Sequence, residues 1–405
     1  MRFTDANLKI ISDSRGNDTL EAELKSGNFS ATASVPAGKS RGTHEAFVLE
    51  PKKALGKFEE IRGKVLEKEF ESQEDFDNFL ISLDGTPDKS NLGGNLILAL
   101  TLAFSRLKAK SENKELFQYI KENSKLKTQN SKLPRPIFNV INGGAHVTNP
   151  ASKLDFQEFQ VIPEVEDSGI ALSVGKEFYR RLKEFLENKF GKENVVLGDE
   201  AGFSAPFKNN EEAIEILAEL IVKHRYPLRI GLDAAATQFY KREEHYLIDG
   251  KECSTDELKD LYLRLIDAYR ILSIEDPFYE EDFDSFAKLT HNLTQNRRET
   301  LIITDDLTTT NPERLKTAIA QKSGNAILIK PNQIGTLTET LKVVKMAYEN
   351  NWQAIISHRS GETMDDFIAD LAVGIGAWGI KAGAPSVPER LAKYERMLKI
   401  LEISN

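Results

Sequence analysis

The chain has 405 residues, with 54 Lys and Arg against 63 Asp and Glu, a formal net charge of −9. Hydrophobic residues make up 40% and charged residues 29%, enough apolar material for two or three globular domains without disulfides or a structural metal. The lone Cys253 excludes an intramolecular disulfide and a Cys-based zinc site, the lack of a basic tract argues against nucleic acid as the main ligand, and no apolar run approaches the ~18–20 residues of a membrane span.

The opening residues lack the basic-then-apolar order of a signal peptide, so a reducing, cytoplasmic setting is expected. Residues 8–35 alternate apolar and polar in three short runs, separated by Gly16-Asn17 and Ser26-Gly27-Asn28. This predicts a three-stranded antiparallel meander. From 57 to 123 the period becomes helical, and residues 92–110 are apolar enough for a buried helix. Residues 124–133 are polar and aperiodic. The domain boundary is placed there, giving an N-terminal α+β capping domain over 1–130 and a second domain over 131–405.

After Pro134 the rhythm changes again. Six short apolar runs each end in an ionisable residue: Asp233, Glu275, Asp305, Lys330, His358 and Lys381. Helical patterns fill the gaps. Ser254-x-x-Glu257 and Ser386-x-x-Glu389 read as capping boxes, and Asn311-Pro312 as an N-cap followed by a first-turn proline. Strand–helix repetition predicts parallel βαβ units. Residues 136–141 and 156–162 supply two more strands. Eight strands suit a closed (β/α)8-type TIM barrel, with its active site at the C-terminal strand ends.

One charged residue at a strand end is usually a solvated boundary residue, but six of six on a barrel rim point to a site. Closure would gather Asp233, Glu275 and Asp305 into a small volume, where carboxylates raise one another's pKa unless a cation binds. All-oxygen donors favour a hard cation such as Mg²⁺. Lys330, Arg359 and Lys381 would face them, and both signs together suit a substrate that bridges a metal and a base. The bland alternative is that Lys330 and Lys381 merely form buried ion pairs with Glu275 and Asp305.

Two other motifs fail. Gly374-Ile-Gly376-Ala-Trp-Gly379 matches G-x-G-x-x-G but ends a helix and enters a strand, the reverse of the dinucleotide context. Gly38-Lys39-Ser40 looks like the end of a P-loop, but its first glycine is replaced by Ala33 and Pro36 interrupts it.

Eleven segments, in order along nearly the whole chain, resemble the enolase family. They include Asp13-Ser-Arg-Gly-Asn17, Val35-Pro-Ala-Gly-Lys-Ser-Arg-Gly42, Asn139-Val-Ile-Asn-Gly-Gly-Ala-His146, Gly198-Asp-Glu-Ala-Gly202, Ser273-Ile-Glu-Asp-Pro-Phe278, Lys330-Pro-Asn-Gln-Ile-Gly335 and Ser357-His-Arg-Ser-Gly-Glu-Thr363. The resemblance implies a glycolytic hydro-lyase that reversibly dehydrates 2-phosphoglycerate to phosphoenolpyruvate through an enolate, with two Mg²⁺ per active site and a homodimer or higher homo-oligomer. A Lys or His base with one or two Mg²⁺ is the established scheme of the superfamily rather than a deduction from this chain.

By the same resemblance Asp233, Glu275 and Asp305 hold the tight metal, and Ser40 on a mobile loop the second. Lys330 is the base, its pKa lowered by nearby cations and burial. Glu200 is the acid for loss of the C3 hydroxyl, with Glu158 beside it. His146 closes over the substrate. Arg359 and Ser360 contact phosphate, His358 lines the pocket, and Lys381 meets the substrate carboxylate. A racemase or cycloisomerase would instead place a lysine pair or a His-Asp dyad here, and a non-catalytic scaffold could lose the metal ligands.

The chain departs from the family pattern at a few positions. Lys39 and Arg41 flank Ser40 where small residues are usual, and Ala201 stands where glycine is usual. Pro331 follows Lys330, which favours extended backbone there. Gln238 replaces a common glutamate. Closure of the loop 37–44, hinged at Gly38 and Gly42, would bring Lys39 and Arg41 toward the substrate phosphate unless both point outward.

Overall fold

The computed structural model describes residues 1–39, 42, 44–126, 133–242 and 245–404. Ser40, Arg41 and most of the polar stretch 124–133 lie outside the described residues. Strands β1 (Asp5–Ser12), β2 (Asp18–Ser26) and β3 (Phe29–Ser34) form the expected antiparallel meander. Side chains alternate across a strand, so Leu20, Ala22, Leu24, Ala31 and Ala33 all fall on one buried face. The helix Gly94–Ser111 packs on that face and is buried on nearly every side, as its apolar sequence requires. The helix Gln73–Asp84 starts at Ser72, whose hydroxyl accepts from the Asp75 amide at 3.1 Å, satisfying one orphan donor.

Eight strands close a barrel: β4 (Arg135–Asn142), β5 (Glu158–Pro163), β6 (Leu228–Asp233), β7 (Ser273–Glu275), β8 (Leu301–Thr304), β9 (Ala326–Ile329), β10 (Gln353–Ser357) and β11 (Gly379–Lys381). They pair in that order, and β11 returns to β4 with Lys381 opposite Ile137. One expectation is corrected: β5 runs antiparallel to both neighbours, so the barrel is not built only of parallel βαβ units. The connection from β4 to β5, residues 143–157, holds a single 3-10 turn at Gly144–His146 and no crossover helix. A parallel return would need such a crossover. Two helices, Ser168–Phe190 and Asn210–His224, follow β5, and from β6 onward helices separate the barrel strands, with a hairpin of His245–Ile248 and Lys251–Ser254 inserted after β6.

Ile137, Ile162, Leu272, Ile303, Leu328 and Ile355 form a buried cluster that fills the barrel. The polar ring is therefore confined to one end. The Ser254 capping box forms, and Asn311 accepts from the amides of Glu313 and Arg314. Ser386 is no cap: the last helix begins at Pro388, and the hydroxyl of Ser386 turns to Tyr179. Gly376 ends the helix Phe367–Ile375 at φ +66, a left-handed angle that suits glycine.

The capping domain reaches the barrel rim through the backbone. The Ala37 and Gly361 amides each donate to the other's carbonyl, at 2.8 and 2.9 Å, and the Ser14 amide donates to the Glu362 carbonyl at 2.7 Å. Gly361 has to be glycine, because a Cβ there would lie 2.2 Å from Asp13 Oδ2. No helix among the described residues is long and apolar enough to cross a membrane.

Candidate active site

Strand register sets three carboxylates side by side. Asp233 ends β6, Glu275 ends β7 as its cross-strand partner, and Glu158 opens β5 as its partner on the other side. Only the reversal of β5 puts a first residue level with two last residues. Lys381, from the end of β11, extends Nζ among all three, at 3.1 Å from Glu158, 3.0 Å from Asp233 and 2.8 Å from Glu275. All four side chains are buried. Burial acts to discharge the ammonium, but Asp233, Glu158 and Glu275 hold its pKa well above the ordinary lysine value. Burial, then Asp233, pushes the Glu275 carboxyl well up.

Asp305 stands apart from Asp233 and Glu275. Its Oδ2 accepts from Nζ of Lys330, which lies just past β9, and its Oδ1 accepts from Gln333 Nε2 at 3.1 Å. It groups with Asp276 and Asp306, one donor oxygen from each lying within 4.8 Å of the others. The Asp276 carboxylate also accepts from the amides of Asp305 at 3.0 Å and Asp306 at 2.7 Å. The three expected ligands are thus on one rim but divided between two lysines, Asp233 and Glu275 at Lys381 and Asp305 at Lys330. The donors are buried and all oxygen, which suits a hard divalent cation. Asp276, Asp305 and Asp306 form a group that could hold a metal, while Asp233 and Glu275 lie outside it.

At Lys330 the influences oppose one another. Burial pulls its ammonium down, but Asp305 more than restores it against Arg359, and its pKa lies above the ordinary lysine value. Its backbone is extended, φ −123 and ψ 103, as the following Pro331 dictates.

The opposite side of the rim carries the acid–base pair. Donor atoms of His146, Glu158 and Glu200 lie within 4.8 Å of one another. Glu200 Oε2 accepts from Asn139 Nδ2 at 3.1 Å and faces His358 Nε2 at 3.3 Å. Glu200 Oε1 and Glu158 Oε1 each lie 3.8 Å from His146 Nδ1. Burial and the Glu200 charge push the Glu158 carboxyl well up. At Glu200 burial is outweighed by the His358 and His146 rings and by Arg390, which hold it well down. The two carboxyls are thus pushed apart, Glu158 toward the protonated form and Glu200 toward the carboxylate. Burial lowers the His146 pKa, and takes that of His358 down to about 4.

On the remaining side Arg359 donates to Glu45 and to Asn332 Oδ1, the latter at 2.9 Å. The Ser360 hydroxyl accepts from the Lys39 amide at 2.9 Å and from Arg15 at 3.3 Å. Lys39 does not reach toward Arg359: its Nζ bonds Asp199 at 3.0 Å and the Ala145 carbonyl at 3.1 Å. It ties the loop after β3 to the loops of His146 and Glu200. Ala201 sits at φ +62, where a methyl group costs roughly 1 kcal/mol relative to glycine. Gln238 accepts from the Ala145 amide at 2.9 Å and donates to Gln157, which in turn donates to Asp233 at 3.2 Å.

Arg15, Glu45, Asn139, Asp276, Asn332, Gln333 and Arg390 all touch site residues, and none was singled out in the sequence. Arg15, Asn139, Asp276, Asn332 and Gln333 lie inside segments that carry the family resemblance, which was their signal. Glu45 and Arg390 lie outside those segments.

A closed barrel under an α+β cap, with a lysine and a carboxylate pair facing each other across a buried acidic rim, defines an acid–base lyase of the barrel class. Family models described as "Enolase, C-terminal TIM barrel domain" and "Enolase, N-terminal domain" match residues 130–404 and 4–120. An enolase of Methanocaldococcus jannaschii is 42% identical over 412 residues, covering 98% of this chain and 94% of the relative. Enolases of Methanosarcina mazei and Methanopyrus kandleri are 42% and 40% identical, covering 97% and 99% of this chain and 92% and 96% of the relatives. The chain belongs to the enolase family.

Proposed function

We propose that this site reversibly dehydrates 2-phosphoglycerate to phosphoenolpyruvate. The observation that carries the reading is topological. In the ring of eight strands β9 lies opposite β5, so Lys330 faces Glu158 and Glu200 across one cavity of about 60 Å³. A base on one face and an acid on the other suit removal of a C2 proton and a C3 hydroxyl from opposite sides of one substrate.

Asp233, Glu275 and Asp305 would hold one Mg²⁺, and Ser40 would contribute to a second. When bound, these ions would supply positive charge for the negative charge that develops on the substrate carboxylate. Lys381 would lie against that carboxylate. Once Asp305 and Glu275 are engaged elsewhere, burial, Arg359 and Lys381 are left acting on Lys330, and all favour the free amine that can take the C2 proton. Glu200 would give a proton to the departing hydroxyl, with Glu158 as its proton partner. His146 would close over the substrate, Arg359 and Ser360 would bind phosphate, and His358 would support Glu200. A two-domain chain divided at 130/131, acting in the cytoplasm as a homo-oligomer, completes the reading.

The test is the ultraviolet absorbance of phosphoenolpyruvate formed from 2-phosphoglycerate, with Mg²⁺ and with excess chelator. Formation only with Mg²⁺ is expected, and full activity in chelator would remove the metal assignment. Lys330→Ala should stop both C2 proton exchange and dehydration, whereas Glu200→Gln should spare exchange. Equal loss of exchange in both variants would refute the division of roles.

A further inference from the structure

Arg390 is the largest fully buried side chain among the described residues, and it stands behind the acid pair rather than in it. It projects from the first turn of the last helix, Pro388–Ser404. Its Nη1 donates to the Arg359 carbonyl at 2.7 Å and to His358 Nδ1. Its Nη2 donates to the carbonyls of Ser360 at 2.7 Å and Asp199 at 3.1 Å. It therefore grips the two residues after His358 and the one before Glu200 at once. Gly383, at φ +85, makes room for it: a Cβ there would meet Arg390 Cδ at 2.9 Å and the Glu200 carbonyl at 3.1 Å.

A guanidinium only donates and stays protonated in proteins. The ring nitrogen it contacts must then be the acceptor, so the neutral His358 ring carries its proton on Nε2. That N–H points at Glu200 Oε2, 3.3 Å away, which also accepts from Asn139. With two donors on Oε2, the free oxygen is Oε1, on the side of His146 and Glu158.

We propose that Arg390 is a positioning residue for the dehydration step: it fixes His358 as the Nε2–H tautomer, saturates Glu200 Oε2, and leaves Oε1 as the oxygen that carries the transferred proton. This rests on the dehydration reading above. In that step a proton passes from Glu158 through Glu200 Oε1 to the C3 hydroxyl oxygen and the C3–O bond breaks, its electron pair leaving with water. The pair freed at C2 becomes the C2=C3 double bond, and Glu200 remains as carboxylate. With the His358 ring reversed, Oε2 would lose a donor and face a lone pair, and the proton would be drawn to the wrong oxygen.

The test uses the full chain with ¹⁵N-labelled histidine, the His358 ring signals being assigned by their absence in His358→Asn. The wild type should show protonated Nε2 and bare Nδ1 at neutral pH. Arg390→Met should give a tautomer mixture, and Arg390→Lys, which keeps a donor, should restore Nε2–H. Dehydration should fall roughly 10- to 100-fold in Arg390→Met, part of the usual contribution of a positioned acid, while C2 proton exchange falls less than about threefold. A wild-type ring protonated on Nδ1 would overturn the proposal. So would an unchanged tautomer in Arg390→Met, or equal loss of exchange and dehydration. If Arg390→Met does not fold, the wild-type tautomer and the Arg390→Lys rates decide. Absence of both reactions in the wild type would instead refute the dehydration reading and leave the tautomer to be judged by its own signal.

Discussion

Arg359 and Glu45 form a buried two-pronged ion pair: Nη1 lies 2.9 Å from Oε2 and Nη2 3.2 Å from Oε1, with both side chains 6% exposed. The residue proposed to bind substrate phosphate thus already holds an internal carboxylate. Glu45 follows the loop that carries Ser40, so phosphate must share or displace the contact that anchors that loop.

Glu45→Gln should remove the competing charge and leave Arg359 buried without a counter-charge. The resting protein should lose about 3 kcal/mol, the scale of a broken buried pair. Inorganic phosphate should recover more of that loss than it adds to the wild type, and KM should fall. Thermal melts with and without phosphate check this. Equal stabilisation of both proteins would show that Arg359 is not the phosphate contact.

Lys381 stands among the carboxylates that a cation would need. In Lys381→Met those groups lose their counter-charge, so the metal-free protein should melt lower, again by the scale of about 3 kcal/mol. Mg²⁺ should then raise its melting temperature more than it raises that of the wild type, since ammonium and metal no longer compete. Turnover should still fall, because the substrate carboxylate loses its partner. A smaller Mg²⁺ shift in the variant would place the metal elsewhere.

Lys39 is 44% exposed, so its bond to Asp199 is worth the ~0.2–1 kcal/mol of a surface pair. Lys39→Ala should loosen the tie between three loops. KM should rise by no more than about fivefold, and its dependence on salt should flatten, because screening has one pair fewer to weaken. Initial rates at low and high ionic strength measure both.

His358 makes stability depend on pH. Burial lowers its folded value to about 4, below its ordinary 6.5. The unfolded chain therefore binds more protons between those limits. The contribution is fully present above pH 6.5 and is lost as pH falls toward 4, about 2 kcal/mol of it between pH 7 and 5. Denaturant titrations at both pH values should show the wild type losing that much more than His358→Asn, whose side chain does not titrate.

The rim of the barrel is legible because each of six apolar runs stops at Asp233, Glu275, Asp305, Lys330, His358 or Lys381, and β6 spans the residues its run predicted. The direction of β5 is not legible in the strand itself, since a strand buried on both faces reads alike from either end. Its only trace is the connection 143–157, too irregular for a crossover. Nor can Glu45 be matched to Arg359 across 314 residues, or Arg390 to His358 across 32, because those partners are chosen by tertiary packing alone. The charge state of Lys330 escapes for a similar reason: burial and Asp305 act in opposite senses, and only the contact decides between them.

The paired backbone bonds between Ala37 and Gly361 join an early and a late segment in time as well as in space. A ribosome adds roughly 5–20 residues per second, so the segment bearing Ala37 waits tens of seconds for its partner to be made. Lys381 and Arg390 emerge later still. A nascent chain that stops short of them has an open barrel edge on β10, three carboxylates with no ammonium among them, and no brace behind Glu200. Closing the barrel and completing the site are one event, so products that stop before Lys381 should carry no fraction of the activity.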